Sequence, residues 1–182
     1  ALASRLQLLQ RQDPAATHLQ RLRDDVARTT ALVDSLLQLA RAYTIFANEG
    51  ELKPVTLLKR EEPEAGAQVI SSDSAHALRR MLEPAVQSGG TAPRAQVAGY
   101  RVAGKTGTAH KLENGRYAAA KYVSSFVGFA PASDARIIVA VMIDEPSAGQ
   151  HYGGAVAAPV FREVTGATLR TLSVPPDAPT LN

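Results

Sequence analysis

An α+β fold is predicted by three observations. Apolar residues recur at helical spacing through residues 1–41. Three later segments, 100–112, 122–131 and 136–146, carry strand-like patterns bounded by turn residues. A final helix pattern at 155–172 is followed by a proline-rich end. The expected architecture is an N-terminal antiparallel helical hairpin, then a three-stranded antiparallel meander with helices packed on it.

The first hairpin helix is read from Leu2, Leu6 and Leu9 within residues 1–12. Asp13-Pro14 stops it and starts the next, with Asp13 as N-cap and Pro14 at the first helical position. Leu19, Leu22, Val26, Thr29, Val33, Leu36 and Ala40 then alternate steps of three and four, a heptad seam. Nothing between Ala15 and Asn48 breaks a helix, so this one is expected to run on to Gly50. So small a hairpin buries too little apolar area to stand alone and calls for a partner or a second copy.

Residues 54–60 read as a short extended segment and 61–66 as an acidic, proline-containing loop. Ser72 or Asp73 is expected to cap a helix reaching Glu83, with Leu78, Met81, Leu82 and Val86 on one face and Pro84 ending or kinking it. Gly89-Gly90 and Pro93 mark a loop. The strand at 100–112 leads into a hairpin turn at Asn114-Gly115. Residues 136–145 are apolar at both parities: Ile137, Val139, Val141 and Ile143 against Ile138, Ala140 and Met142. Such a strand is covered on both faces. The helix at 155–172 is expected to cover one face through Val156, Val160, Val164 and Ala167, with Pro159 kinking it or marking its first turn. Residues 173–182 read as a disordered tail.

Composition narrows the function classes. The 182 residues are 45% hydrophobic, as in a globular protein. The net charge of +3 is spread without a Lys/Arg block, which argues against nucleic-acid binding. There is no cysteine, so no disulfide and no thiolate metal site. His18, His76, His110 and His151 lie too far apart in sequence for metal-ligand spacing, and no metal or cofactor is expected. No apolar run is long enough to span a membrane or to act as a signal peptide.

The chemistry-bearing segment is Lys105-Thr106-Gly107-Thr108, within the strand at 100–112. A lysine on an exposed strand edge offers a fixed cation to a carboxylate. The threonine hydroxyl can donate to the same group. A glycine without Cβ lets a peptide-like ligand lie against the strand backbone. Thr108 can present its backbone N–H to a developing oxyanion, a donor worth roughly 3 kcal/mol. A polar strand segment ahead of a turn would show the same triplet.

The wider text resembles the C-terminal part of the transpeptidase domain of class B penicillin-binding proteins, the septal cell-division type. The stretches that carry the likeness are 39–50, Ser88-Gly-Gly-Thr91, 100–111 with the Lys-Thr-Gly motif, Tyr122 through Pro131, 136–146 and His151 through Phe161. The likeness runs over residues 37–172. It implies a partial penicillin-binding transpeptidase fold over 42–172, with Lys105, Thr106, Gly107 and Thr108 as substrate-binding residues. It also implies acyl transfer in cell-wall cross-linking, with a peptidoglycan stem peptide as substrate and β-lactams as mimics of its end. It places such a protein at the periplasmic face of the bacterial inner membrane, on an N-terminal anchor. With no anchor in the text, a fragment or a soluble form is expected.

Two further motifs of that family, Ser-x-x-Lys with the nucleophile and Ser-x-Asn, occur nowhere in the sequence. No catalytic residue is therefore assigned, and activity by this chain alone is not expected. A serine β-lactamase fragment shares the triplet and is the alternative enzyme reading. Residues 1–41, with the stretch from Arg23 to Arg41, resemble the second half of a sensor histidine kinase dimerisation hairpin. A dimerising helical module is the alternative of another class, and implies a homodimer. His18 lacks the phosphoacceptor box of that family and reads as an exposed polar residue. The two likenesses meet at residues 36–42, as a fusion of two truncated pieces would.

The remaining candidates have plainer readings. Ser124 and Ser125 are sheet-surface residues, Asp144-Glu145 a solvated turn and His110 a strand-end histidine. His151 and Tyr152 precede Gly153-Gly154 in a loop expected near the strand edge, in reach of a substrate. The strand at 136–145 is expected to leave an apolar edge unpaired.

Overall fold

Helix-forming residues without a breaker produce α1, Pro14–Ala47. The computed structural model describes residues 14–58, 60–62, 64–113 and 115–178. It divides into two compact units, 1–37 and 38–182. The expected first hairpin helix at 1–12 and the Asp13 cap lie outside the described residues.

In the first unit, residues 14–37 of α1 make local side-chain hydrogen bonds. Gln20 Nε2 donates to Asp24 Oδ1 at 2.9 Å, and the hydroxyls of Thr29, Thr30 and Ser35 donate to carbonyls one turn back. The seam residues Leu19, Leu22, Val26 and Val33 are all exposed, Val26 to 65%.

In the second unit, α1 ends at Ala47, three residues short of the expected Gly50. Gly50 donates to the carbonyl of Ile45 at 2.8 Å, closing the last turn. Gly50, at φ +89, is irreplaceable on two counts: the left-handed backbone, and the carbonyl of Ile70, which occupies the place of a Cβ. Two short strands follow, β1 (Glu51–Leu52) and β2 (Ala67–Gln68), paired antiparallel. Among its described residues, the extended segment expected at 54–60 forms no strand. Two residues are too few to show a period, and β1–β2 depends on its tertiary neighbours.

Helix α2, Ser72–Leu82, is capped by Ser71, whose hydroxyl accepts from the Ser74 amide at 3.2 Å. The cap therefore falls one residue before Ser72. Leu78 and Met81 point outward, Met81 to 71% exposure, and the inner face is Ala75 with Arg79 and Leu82. Arg79 turns this face inward because its guanidinium donates to the carbonyls of Phe46 and Ala47, in the last turn of α1, where carbonyls lack an intrahelical donor. Pro84 ends α2 in a 3₁₀ turn, Glu83–Val86.

The sheet is an antiparallel meander, β3 (Ala103–Glu113), β4 (Arg116–Ala130) and β5 (Ile137–Asp144), in that spatial order. The β3–β4 hairpin closes with Glu113 opposite Arg116 and Gly115 at φ +75. Strand β4 begins earlier than the expected Tyr122. A register shift between His110 and Leu112, with Ala120 at φ 59, absorbs the added residues.

The sheet has a core on each face. On one, Phe126, Val141, Phe161 and Leu169 pack together beneath α3 (Gly153–Thr171). On the other, Phe129, Val127 and Ala103 meet Tyr43, with Leu39 and Phe46 alongside. Strand β5 contributes Ile137, Val139 and Ile143 to the first core and Ile138 and Ala140 to the second, as its double parity predicts. Its outer backbone edge has no partner strand among the described residues.

The inner stripe of α3 differs from the expected one. Val160, Val164 and Ala167 are exposed, and Ala157, Ala158, Phe161, Thr165 and Leu169 are buried. The two stripes are neighbours on one helix, and Phe161 and Leu169 bring more apolar area to the sheet. Pro159 lies inside the helix. Residues 174–178, expected within the disordered tail, are bonded onto the domain. Val174 is buried and its carbonyl accepts from Tyr100 Oη at 2.6 Å. Asp177 accepts from the Arg101 amide at 2.7 Å and from the amide and hydroxyl of Ser133 at 3.1 and 2.6 Å.

Candidate functional site

Lys105, Thr106, Gly107 and Thr108 lie on β3, an edge of the sheet, opposite Val127, Phe126, Ser125 and Ser124 of β4. Alternation puts Thr106 and Thr108 on the face that carries α3 and Lys105 with Gly107 on the other. Lys105 and Thr108 are exposed, and Thr106 and Gly107 half-buried.

Lys105 Nζ donates to the carbonyl of Thr106 at 3.0 Å and to its Oγ1 at 3.3 Å. Thr106 Oγ1 in turn lies 3.3 Å from Thr91 Oγ1. A cation and the Thr106 hydroxyl thus meet at the open edge of β3, a donor pair that suits a carboxylate. Gly107 brings no side chain to this strand, and the Ser125 hydroxyl fills the place a Cβ would take, 2.5 Å from it.

The loop before α3 closes the site at its far end. The Gly153 amide donates to Thr108 Oγ1 at 3.2 Å. Gly153 and Gly154 leave room for the carbonyls of Ser125 and Thr91, which occupy the places of their Cβ atoms. Ser124 is fully buried, and its hydroxyl donates to the carbonyl of His151. It therefore pins this loop rather than lining the sheet surface.

His110 and His151, far apart in sequence, meet on one tyrosine. The His151 ring stacks on Tyr122 with centroids 3.9 Å apart, and His110 lies 4.4 Å from the same ring. Tyr117 and Tyr152 extend the row at each end. Asp144-Glu145 form ion pairs with Lys111 at 2.9 and 2.7 Å, which tie β3 to the end of β5. Hydrogen bonds donated to the Glu145 and then the Asp144 carboxylate hold the Lys111 ammonium above its ordinary pKa, and the bond from Lys111 holds Glu145 below its own. His18 is exposed on α1. His76 pairs with Glu49 at 2.7 Å. Among the described residues no three His, Cys, Asp or Glu side chains converge as a metal site would require.

Sequence alone gives no individual role to Thr91, whose oxygen faces Thr106, or to Tyr122, whose ring meets both His110 and His151. Nor does it give one to Asp177, which fastens the chain end outside the site. A lone threonine after Gly-Gly and a lone aspartate between prolines carry no periodic signal.

The family model of the penicillin binding protein transpeptidase domain matches residues 27–166, and the chain belongs to that family. The match begins inside the segment that resembles a kinase hairpin.

The curated relatives include the probable peptidoglycan D,D-transpeptidase PenA of Neisseria flavescens, 49% identical over 81% of this chain and 37% of the relative. The peptidoglycan D,D-transpeptidase FtsI of Escherichia coli K12 is 40% identical over 85% of this chain and 27% of its own length. Among solved structures, the apo transpeptidase domain of Burkholderia pseudomallei penicillin-binding protein 3 superposes with a TM-score of 0.74 at 52% identity. It covers 80% of this chain and 44% of that domain chain. The chain thus spans about a quarter to a little over a third of the curated relatives named. Among the described residues no helix is long and apolar enough to cross a membrane.

Proposed function

We propose that this chain supplies the carboxylate-binding and oxyanion side of a peptidoglycan D,D-transpeptidase site. Its ligand is the D-Ala-D-Ala end of a stem peptide, or a β-lactam resembling it. The observation that carries the reading is the convergence of Lys105 Nζ and Thr106 Oγ1 on an open strand edge beside a side-chain-free Gly107. Lys105 and Thr106 hold the terminal carboxylate, Gly107 admits the peptide backbone, and the Thr108 amide faces the carbonyl that would bear the oxyanion. The family's acyl transfer begins with serine attack on that carbonyl. Ser-x-x-Lys is absent from the sequence, so this chain alone binds and does not acylate.

A dipeptide ending in D-Ala-D-Ala, titrated against the full chain and followed by amide shifts in 105–108, tests the binding arm. Lys105→Ala is expected to weaken it by roughly tenfold or more, the cost of a lost charge-assisted bond. Equal binding by the variant refutes the reading. Incubation with a fluorescent penicillin is expected to leave no label after denaturation, and a band mapped to a serine would contradict the proposal.

Cell-wall synthesis at the division septum and the periplasmic face of the inner membrane are the setting this reading implies. Self-association belongs to the same proposal. The exposed heptad seam of α1 is the kind of surface that a dimerising kinase hairpin uses, and the free edge of β5 is a second adhesive surface.

A further inference from the structure

We infer that Thr91 is a positioning residue for the carboxylate site, acting through the hydroxyl of Thr106. The inference rests on the carboxylate reading above and names a residue that reading does not require. A threonine hydroxyl has one proton and two lone pairs. Lys105 Nζ occupies one lone pair of Thr106 at 3.3 Å. Thr91 Oγ1 stands 3.3 Å away, within hydrogen-bond reach of the same oxygen. Without ligand, either threonine can donate to the other. A ligand carboxylate accepts only, so it draws the Thr106 proton toward itself. Thr91 then donates to the second lone pair. The three partners together leave Thr106 a single orientation, with its proton aimed at the ligand.

Thr91 is held well enough for this role. Gly154 has no Cβ, and the carbonyl of Thr91 occupies that space at the start of α3. Gly90, just before it, has the carbonyls of Pro84 and Ala85 where a Cβ would stand. The next amide, Ala92, donates to the carbonyl of Ala85 at 2.8 Å, and Ala92 is fully buried. The backbone on both sides of Thr91 is thus fixed, while its side chain reaches the exposed edge of β3. A hydroxyl on a fixed support loses little freedom on binding, which is how an orienting group contributes to affinity.

The experiment titrates the full chain with N-acetyl-D-Ala-D-Ala and, in parallel, with its C-terminal amide, reading amide shifts of 105–108. Thr91→Val removes the hydroxyl and keeps the shape. It is expected to weaken the acid about fivefold, the scale of one hydrogen bond, and to leave the amide unchanged. Thr91→Ser is expected to restore the acid. In a Thr106→Val background, Thr91→Val is expected to add no further loss, since its effect passes through the missing hydroxyl. If Thr91→Val unfolds the chain, the comparison of Thr91→Ser with Thr91→Ala replaces it, with the same expectation. A parent chain that prefers the acid while Thr91→Val binds it equally well overturns the role of Thr91 alone. So does additivity in the double variant, or a serine variant as weak as the valine. A parent chain that treats acid and amide alike overturns the carboxylate reading, and the role of Thr91 with it.

Discussion

Residues 14–37 and residues 38–178 are both built from apolar residues at regular spacing, and only the second group buries them. Leu19, Leu22, Val26 and Val33 of α1 stand in solvent, whereas Phe126, Phe129, Phe161 and Leu169 are fully enclosed. Periodicity makes a helix and selects its apolar face. Free energy is gained only when that face leaves water, at about 25 cal/mol per Å². The N-terminal seam leaves its apolar residues exposed, and the sheet domain encloses its own.

The largest expected effect tests the enclosed side. Phe126→Ala is expected to cost about 3–5 kcal/mol in urea unfolding of the domain, because α3 cannot collapse into the space left against Phe161. A loss under 1 kcal/mol would show that the sheet and α3 are not one packed core.

The next test concerns the exposed side. Leu22→Lys and Val33→Lys are expected to abolish self-association of the full chain in light scattering, each burying unpaired charge in a helical seam at a cost of roughly 3–5 kcal/mol. Domain unfolding is expected to stay unchanged. A clean monomer for the unmodified chain would show that the seam does not dimerise.

Asp177→Ala tests whether residues 174–178 belong with the enclosed part. Three donors lose their acceptor, and unfolding stability is expected to fall by about 2 kcal/mol. A neutral result would return this segment to the loose category. In the other direction, Thr165 Oγ1 is buried without a hydrogen-bond partner among the described residues. Thr165→Val is expected to raise stability by about 1 kcal/mol, since an unpaired hydroxyl leaves an apolar core.

The smallest effect is one of pH. Hydrogen bonds from Ser72 and then His76 hold the Glu49 carboxyl below the usual carboxylate range. A lowered carboxyl pKa stabilises the fold above the unfolded pKa and loses that contribution as pH falls through the folded one. Glu49→Gln is therefore expected to flatten the acid limb of the stability profile slightly, with little change at neutral pH. The effect is small because Glu49 is largely solvated.

Much of the fold was legible in residue order. The strands of the meander, the Gly115 turn, the double-faced β5 and the stop at Pro84 all follow from local rules that neighbours reinforce. The motif strand was legible for the same reason: Lys105 through Thr108 sit on one edge because a single strand puts them there. The inner stripe of α3 was not legible. Val160 and Val164 are as apolar as the stripe actually used, and the choice was made by the shape of the sheet that receives Phe161 and Leu169. The outward turn of Leu78 and Met81 has a similar cause, because Arg79 must reach the carbonyl ends of α1.

The sequence by itself determined the elements, their order and the residue types at the edge of β3, because capping, turn chemistry and side-chain period act within a few residues of chain. Tertiary structure alone decided which face of each helix is buried, that Asp177 fastens the chain end, and that Thr91 faces Thr106 from a different loop. Those outcomes depend on contacts between residues far apart in the chain, where shape and hydrogen-bond geometry select among options that local spacing leaves equal.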